Sequence, residues 1–186
     1  MWQRSLFVIG FLVSSSLAFA ADETPLIPRA KFFGNPEKAR ARIMVLSGPN
    51  LDRLGKREPH IYGTTGLKAI HAELEEIAAA HGVLLECRQS NHEGELVSFI
   101  GEAADRQFAG ILINPGALTH TSYALYDAIK GAELPVVEVH LSNPDAHEPF
   151  RRESRVAPAC LGRVAGFGAG SYALALQGLL ARLLAS

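Results

Sequence analysis

Short apolar runs alternate with longer amphipathic segments through most of this 186-residue chain. In the longer segments apolar residues recur every three or four positions, which predicts helices with one buried face. The shorter runs are bounded by glycine or proline, which is typical of strands. The predicted strands cover 43–46, 83–87, 110–113, 135–139 and 163–167, and the predicted helices cover 67–81, 93–106, 122–130 and 172–184, with a short helical turn at 147–152.

This alternation predicts βαβ units with right-handed crossovers in a single domain. Five strands indicate an α/β fold of the flavodoxin-like type, a doubly wound five-stranded parallel sheet. The 110–113 strand is continuously apolar, as expected for a strand covered on both sides. Ligands bind beyond the carboxyl ends of the strands in such sheets, so function is expected in the loops at those ends.

The first twenty residues follow a different pattern. Arg4 precedes an uncharged apolar stretch that ends in Ala18-Phe19-Ala20, the small-x-small pattern of a signal peptidase site. We expect a signal peptide over 1–20, cleaved after Ala20, because the apolar run is short for a membrane span. The alternative is an uncleaved N-terminal anchor. Residues 21–41 are polar and contain three prolines, which predicts an arm or linker before a domain at 42–186.

The charge balance narrows the range of partners. The formal net charge is −1, which gives no electrostatic footprint for nucleic acid or for an anionic membrane once the signal peptide is removed. Export would permit a disulfide between Cys87 and Cys160. Cys87 lies in an apolar strand, however, where a buried free thiol is the more common state, so we expect no bridge.

Polar side chains follow several of the predicted strands. Each alone has an ordinary explanation, such as a solvated loop residue or, for His120 beside Ser122, a helix cap. Together they meet at the ligand-binding edge of the sheet, where they can bind a small anionic molecule and move protons on it. No HExxH motif or closely spaced Cys/His set favours a metal site. The residues are Asn50, Arg57, Tyr62, Asn114, His120, Glu138, His140 and Ser142.

Glu138 and His140 are informative as a pair. They lie two residues apart in a predicted strand, so their side chains leave the same face. A carboxylate beside an imidazole fixes its tautomer and raises its proton affinity, which suits a general acid.

A glycine-rich segment, 166–170, lies between the last strand and the last helix. Its spacing is not GxGxxG and no acidic ribose partner follows, so a nucleotide-binding loop is not favoured. We expect these glycines to serve tight packing of the strand against the helix.

Several long motifs, in order, closely resemble the type II 3-dehydroquinate dehydratases from about residue 42 to the C-terminus. They are GPNLDRLGKREPHIYG from Gly48, QSNHEGEL from Gln89, INPGALTHTS from Ile113, EVHLSN from Glu138 and FR from Phe150. The resemblance implies a flavodoxin-like hydro-lyase that removes water from 3-dehydroquinate to give 3-dehydroshikimate. It implies that no metal, nucleotide or Schiff-base lysine is required. It also implies a homododecamer built as a tetramer of trimers.

The resemblance also implies catalytic roles. Tyr62 would remove the proton beside the ketone, on a mobile loop that closes over the substrate. A free tyrosine has a pKa of about 10, and Arg57 would favour the tyrosinate by charge pairing. Asn50 would help to hold a water at the enolate oxygen. His140, oriented by Glu138, would protonate the departing hydroxyl.

Substrate-binding roles are implied in the same way. Ser142 and the Leu141–Ser142 backbone would hold the carboxylate. Asp127 would reach into the site of a neighbouring subunit. The ring hydroxyls would be bound by Asn114, His120 and Arg151.

The chain departs from the family pattern at His147, where members usually carry an arginine. That arginine normally helps to hold the tyrosinate side of the site. An imidazole has a usual pKa of about 6.5, so this exchange should weaken the activation of Tyr62 at neutral pH and increase the dependence on Arg57. The alternative is that His147 merely sits on the surface.

The leader changes the expected biological role. A biosynthetic enzyme has no reason to leave the cytoplasm, so an exported one suggests periplasmic catabolism of quinate.

Two other functions remain open on the same fold, a non-catalytic binding protein for a small anion and a flavodoxin-like electron carrier. The electron carrier would need a first loop rich in serine and threonine, whereas the loop here is Gly48-Pro49-Asn50-Leu51.

Overall fold

The computed structural model describes residues 41–55 and 65–184. The predicted signal peptide, the predicted arm up to residue 40, Arg57 and Tyr62 lie outside the described residues. Within the described ranges, no helix has the length and apolarity that a membrane crossing requires.

Five parallel strands form one sheet in the order β2-β1-β3-β4-β5. This is the predicted flavodoxin-like order, and the predicted elements are all found, with ends displaced by at most two residues. The strands are β1 (Arg42–Ser47), β2 (Leu84–Gln89), β3 (Gly110–Asn114), β4 (Val136–His140) and β5 (Gly162–Ala165). The helices are α1 (Leu67–Ala80), α2 (Glu93–Asp105), α3 (Tyr123–Ala132) and α4 (Gly170–Leu184).

The sheet separates two apolar layers. Alternate residues of a strand face opposite sides, so in β1 Ile43 and Val45 pack in one layer and Met44 and Leu46 in the other. Burial of each such side chain contributes roughly 1.5–3 kcal/mol to folding. The helices complete the layers with residues at helical spacing. In α1 these are Ile70, Leu74 and Ala78, and in α2 they are Leu96, Ile100 and Ala103.

Five short 3-10 turns complete the described part of the chain, and all of them lie in the segments that follow β1, β3 or β4. They are Leu51–Arg53, Gly116–His120, Pro144–Ala146, Pro149–Arg151 and Ala157–Ala159. The helical turn predicted at 147–152 is therefore a three-residue turn that starts at a proline.

The explanation predicted for the 166–170 glycines is wrong in part. Cβ atoms built on Gly168 and Gly170 would meet nothing within 4 Å, so close packing does not require glycine at these positions. Gly166 and Gly168 instead have φ angles of 96° and 58°, a region that favours glycine. The turn lets the Gly168 amide donate to the Leu141 carbonyl at 2.8 Å, which ties the loop to the end of β4.

Both cysteines are free thiols, as predicted.

Candidate active site

The loops after β1 and β3 are held in close contact beyond the sheet. The Gly48 amide donates to the Asn114 carbonyl at 2.8 Å. A Cβ on Gly48 would lie 2.6 Å from the Pro115 carbonyl oxygen, so the approach depends on glycine. Asn50 adopts the left-handed region at φ 66°, and its amide donates to Asn91 Oδ1 at 2.8 Å. These contacts fix the first wall of the site.

A cavity of about 250 Å³ opens at this edge of the sheet. It is lined by loops that follow β1, β3 and β4, the three central strands, as the topology predicts. The lining includes seven residues predicted for the site, namely Asn50, Asn114, His120, His140, Leu141, Ser142 and Arg151. It also includes His147, Glu148, Pro49, Leu51, Leu54, Gly116, Ala117 and Pro144.

Glu138 and His140 form a direct pair at the end of β4. His140 Nε2 lies 2.7 Å from Glu138 Oε1, and the Glu138 side chain is fully buried. Because Nε2 is engaged by the carboxylate, Nδ1 is the ring nitrogen left for a bound molecule. The predicted same-face arrangement of the two residues is confirmed.

The charge state of Glu138 reflects two opposing effects. Burial raises its pKa, whereas the hydrogen bond and charge of His140, together with the Thr119 and Ser154 hydroxyls, lower it. The net result is a pKa below the usual range, so Glu138 is a carboxylate at neutral pH.

Sequence reasoning missed Thr119 and Ser154, the two hydroxyls that contact Glu138. Thr119 Oγ1 donates to Glu138 Oε1, and Ser154 Oγ lies 3.1 Å from each carboxylate oxygen. Thr119 falls inside the INPGALTHTS motif, which could have drawn attention to it. Ser154 lies in an irregular segment, where no periodicity indicates its direction.

Asn114 is held in place by a tyrosine of helix α4. Its side chain is almost fully buried, and Oδ1 accepts from the Gly116 amide at 3.1 Å. Tyr172 of α4 lies beneath it, with Oη 3.4 Å from Ser47 Oγ. Burial raises the pKa of Tyr172 to about 12, against the hydrogen bonds to Ser47 and Asn114 that lower it. Tyr172 is therefore a neutral phenol that supports the site.

His120 and Arg151 line the outer part of the cavity. His120 Nδ1 lies 2.8 Å from the Glu153 carbonyl, which holds the ring in place. The cap suggested near His120 is instead Ser122, whose Oγ accepts from the Leu125 amide at 2.9 Å. Arg151 Nε donates to Glu148 Oε2 at 2.9 Å.

His147 does not merely sit on the surface, so that alternative is wrong. It lines the cavity, and its Nε2 lies 2.9 Å from Ser142 Oγ. His147 thus contacts the segment predicted to hold the substrate carboxylate.

Asp127 does not line the cavity of its own chain. It lies on the exposed side of α3. Its predicted role in a neighbouring subunit stays a prediction.

Within residues 41–55 and 65–184, no group of three or more His, Cys, Asp or Glu side chains is arranged to hold a metal ion.

The chain matches the family model "Dehydroquinase class II" over residues 41–180. It is 56% identical over 142 residues to a 3-dehydroquinate dehydratase of Mesorhizobium japonicum, with 76% of this chain and 98% of the relative covered. It is 57% identical over 142 residues to the protein of the same name from Prochlorococcus marinus, with 76% and 95% covered.

Two solved structures of type II dehydroquinases are similar to this chain. The type II dehydroquinase of Butyrivibrio crossotus has a TM-score of 0.74 and 39% identity, with 76% of this chain and 98% of that chain covered. The type II dehydroquinase of Propionibacterium acnes has a TM-score of 0.73 and 41% identity, with 77% and 99% covered. The fold, the cavity beyond the central strands and the match over residues 41–180 together show that this chain belongs to the class II dehydroquinase family.

Proposed function

We propose that this chain is a 3-dehydroquinate dehydratase that eliminates water from 3-dehydroquinate to give 3-dehydroshikimate through an enolate. The observation that carries the proposal is the Glu138–His140 pair, in which the buried Glu138 contacts a histidine that lines the cavity, within a fold shared with dehydroquinases. A histidine with a buried carboxylate on one ring nitrogen and a cavity beside the ring is suited to deliver a proton.

The elimination requires one base and one acid. Tyr62, as tyrosinate, takes the proton from the carbon beside the ketone, and Arg57 stabilises the tyrosinate. The electron pair left on carbon delocalises into the carbonyl as an enolate, and Asn50 helps to hold the water that faces the oxygen. When the enolate collapses, the C–O bond to the leaving hydroxyl breaks. His140 gives that oxygen a proton, so water leaves and a conjugated double bond remains.

Substrate binding is assigned to groups that converge on the cavity. Ser142 and the Leu141–Ser142 backbone hold the carboxylate, at the segment that His147 contacts. The roles of Tyr62 and Arg57 rest on the motif, because both lie outside the described residues. The ring hydroxyls are bound by Asn114, His120 and Arg151.

An absorbance assay for the enone product tests the proposal. The parent protein should turn over 3-dehydroquinate, and Tyr62→Phe and His140→Gln should each lose at least about 100-fold in kcat. Tyr123→Phe and His81→Gln are matched controls, because both residues are exposed and lie outside the cavity lining. Binding of 3-dehydroquinate without turnover by the parent would instead favour a non-catalytic binding protein.

The same proposal places the enzyme in the periplasm, in the breakdown of quinate, once residues 1–20 have been removed. The support is the basic start, the apolar stretch and the Ala18-Phe19-Ala20 site. N-terminal sequencing of the mature protein should begin at Ala21. Full-length active protein confined to the cytosolic fraction would contradict this placement.

We further propose a homododecamer, with Asp127 contributing to a neighbouring site. Its exposed position on α3, away from the cavity of its own chain, supports this role. Light scattering should give a mass near twelve chains. Asp127→Asn should raise the KM for 3-dehydroquinate without lowering the melting temperature.

A further inference from the structure

Two hydroxyl groups lie behind His140, on the carboxylate that faces it. Thr119 Oγ1 donates to Glu138 Oε1, which also lies 2.7 Å from His140 Nε2. Ser154 Oγ lies 3.1 Å from both Oε1 and Oε2. Glu138 is fully buried, so these protein groups take the place of solvent around its charge.

The Ser154 hydroxyl is arranged to donate to Glu138. Its oxygen accepts from the Val156 amide at 3.2 Å and the Ala157 amide at 2.8 Å. A hydroxyl has two acceptor positions and one proton. Because two backbone amides use the acceptor positions, the proton is left for the side on which the Glu138 carboxylate and Thr119 Oγ1 lie, and Thr119 in turn donates to Glu138.

The Thr119 hydroxyl is fixed beside it. Thr119 is almost fully buried, and its Oγ1 lies 2.8 Å from Ser154 Oγ. The Arg155 amide donates to the Thr119 carbonyl at 2.7 Å, which ties the two segments together. The two donors are therefore held in place before any substrate arrives.

These donors affect where a shared proton resides. When the Glu138–His140 pair holds one proton, that proton lies either on the imidazole or on the carboxyl. Burial favours the neutral carboxyl, because it penalises charge. Hydroxyl donors stabilise the carboxylate and so favour the imidazolium. An acid catalyst at His140 needs the second arrangement.

We propose that Thr119 and Ser154 are positioning residues that keep the shared proton of the Glu138–His140 pair on His140. The catalytic consequence rests on the proposed function, because it requires His140 to protonate the leaving group. The location of the proton does not depend on turnover and can be measured by itself.

The first test is nitrogen NMR of the His140 ring, which distinguishes an imidazolium from a neutral imidazole. Parent protein, Thr119→Val, Ser154→Ala and the double variant are compared across pH, with Ser98→Ala as the control. Ser98 also donates a hydroxyl hydrogen bond, to the Gly94 carbonyl, but it lies on the exposed face of α2. We expect the imidazolium fraction of His140 to fall in each site variant, most in the double variant, and to stay unchanged in the control.

The second test is turnover. Each site variant should lose about tenfold in kcat, since a hydrogen bond to a charged group is removed, while KM changes less than about twofold. Thr119→Ser and Ser154→Thr keep a hydroxyl at each position, so they should retain most of the kcat of the parent. Thr119→Val is the cleaner variant, because Ser154→Ala also removes the acceptor for two backbone amides.

The outcomes separate the two proposals. A double variant that keeps both the His140 nitrogen pattern and the kcat of the parent would overturn the positioning role, as would variants that lose thermal stability alone. A parent protein without turnover would contradict the proposed function, and the NMR comparison would still decide where the proton lies.

Discussion

His147 Nε2 lies 2.9 Å from Ser142 Oγ in the wall of the cavity. This contact places a histidine, where the motif resemblance implies an arginine, beside the segment proposed to hold the substrate carboxylate. An imidazole does not offer the planar, two-pronged set of donors with which a guanidinium binds a carboxylate. An arginine at this position would also carry a permanent positive charge.

We therefore expect His147→Arg to raise kcat/KM severalfold. A charge-assisted hydrogen bond exceeds a neutral one by about 1 kcal/mol, which corresponds to roughly fivefold. The measurement is the pH profile of kcat/KM. His81→Arg is the control, because His81 is exposed at the end of α1. An unchanged profile would show that the substitution at this position has no catalytic effect.

Removal of the Glu138 charge should affect both catalysis and pH stability. We expect Glu138→Gln to lower kcat by about 100-fold, because His140 loses its charged partner. The pKa of Glu138 is lowered below 4.5, so its carboxylate stabilises the fold above that pH and the contribution is lost as pH falls through the folded value. Urea unfolding from pH 7 to pH 3 should therefore show a weaker acid dependence in the variant.

The control for that change is Glu73→Gln, which removes an exposed carboxylate from α1. It should leave turnover and the acid dependence of unfolding unaltered. Equal acid dependence in the parent and in Glu138→Gln would contradict an ionised, stabilising Glu138.

Gly48→Ala should separate the two loops that form the first wall of the site. The new Cβ would lie 2.6 Å from the Pro115 carbonyl oxygen, and this backbone atom cannot rotate away. We expect about 1–3 kcal/mol loss in the free energy of unfolding and a rise in KM. Gly94→Ala, with no atom within 4 Å of its Cβ, is the control in chemical unfolding experiments.

The two cysteines should resist thiol reagents in the folded protein. Burial raises the pKa of both thiols to about 12, with smaller contributions from Glu75 at Cys87 and from Glu138 at Cys160. Because the thiolate is the reactive form, labelling at pH 8 should be negligible before unfolding. Titration in urea without reductant should then release both thiols. Fast labelling of the native protein would contradict the raised pKa of these partly buried thiols.

Much of the fold was predictable because local patterns and packing agree. The 110–113 run of β3 is apolar and lies in the middle of the sheet, buried on both faces. The spacing of Ile70, Leu74 and Ala78 predicted the buried face of α1. The start of α4 was predicted two residues late, because Gly170 lacks an apolar side chain and the helix begins there after a glycine turn.

The site was predictable where strand topology or a motif brings residues together. Glu138 and His140 are neighbours on one face of a strand, so their pairing follows from the period of two. The contact of Ser154 with Glu138 depends instead on an irregular segment between β4 and β5, where no period applies. The contact of His147 with Ser142 is likewise set by loop geometry, which local sequence does not determine.

The position of the cavity beyond β1, β3 and β4 has a consequence for how activity is acquired. Asn50, Asn114 and His140 are distant along the chain and become neighbours only when the three central strands have paired. A partly folded chain would contain each segment but no assembled site. Recovery of turnover after dilution from denaturant would therefore report completion of the central sheet, and helix formation alone would restore ellipticity without it.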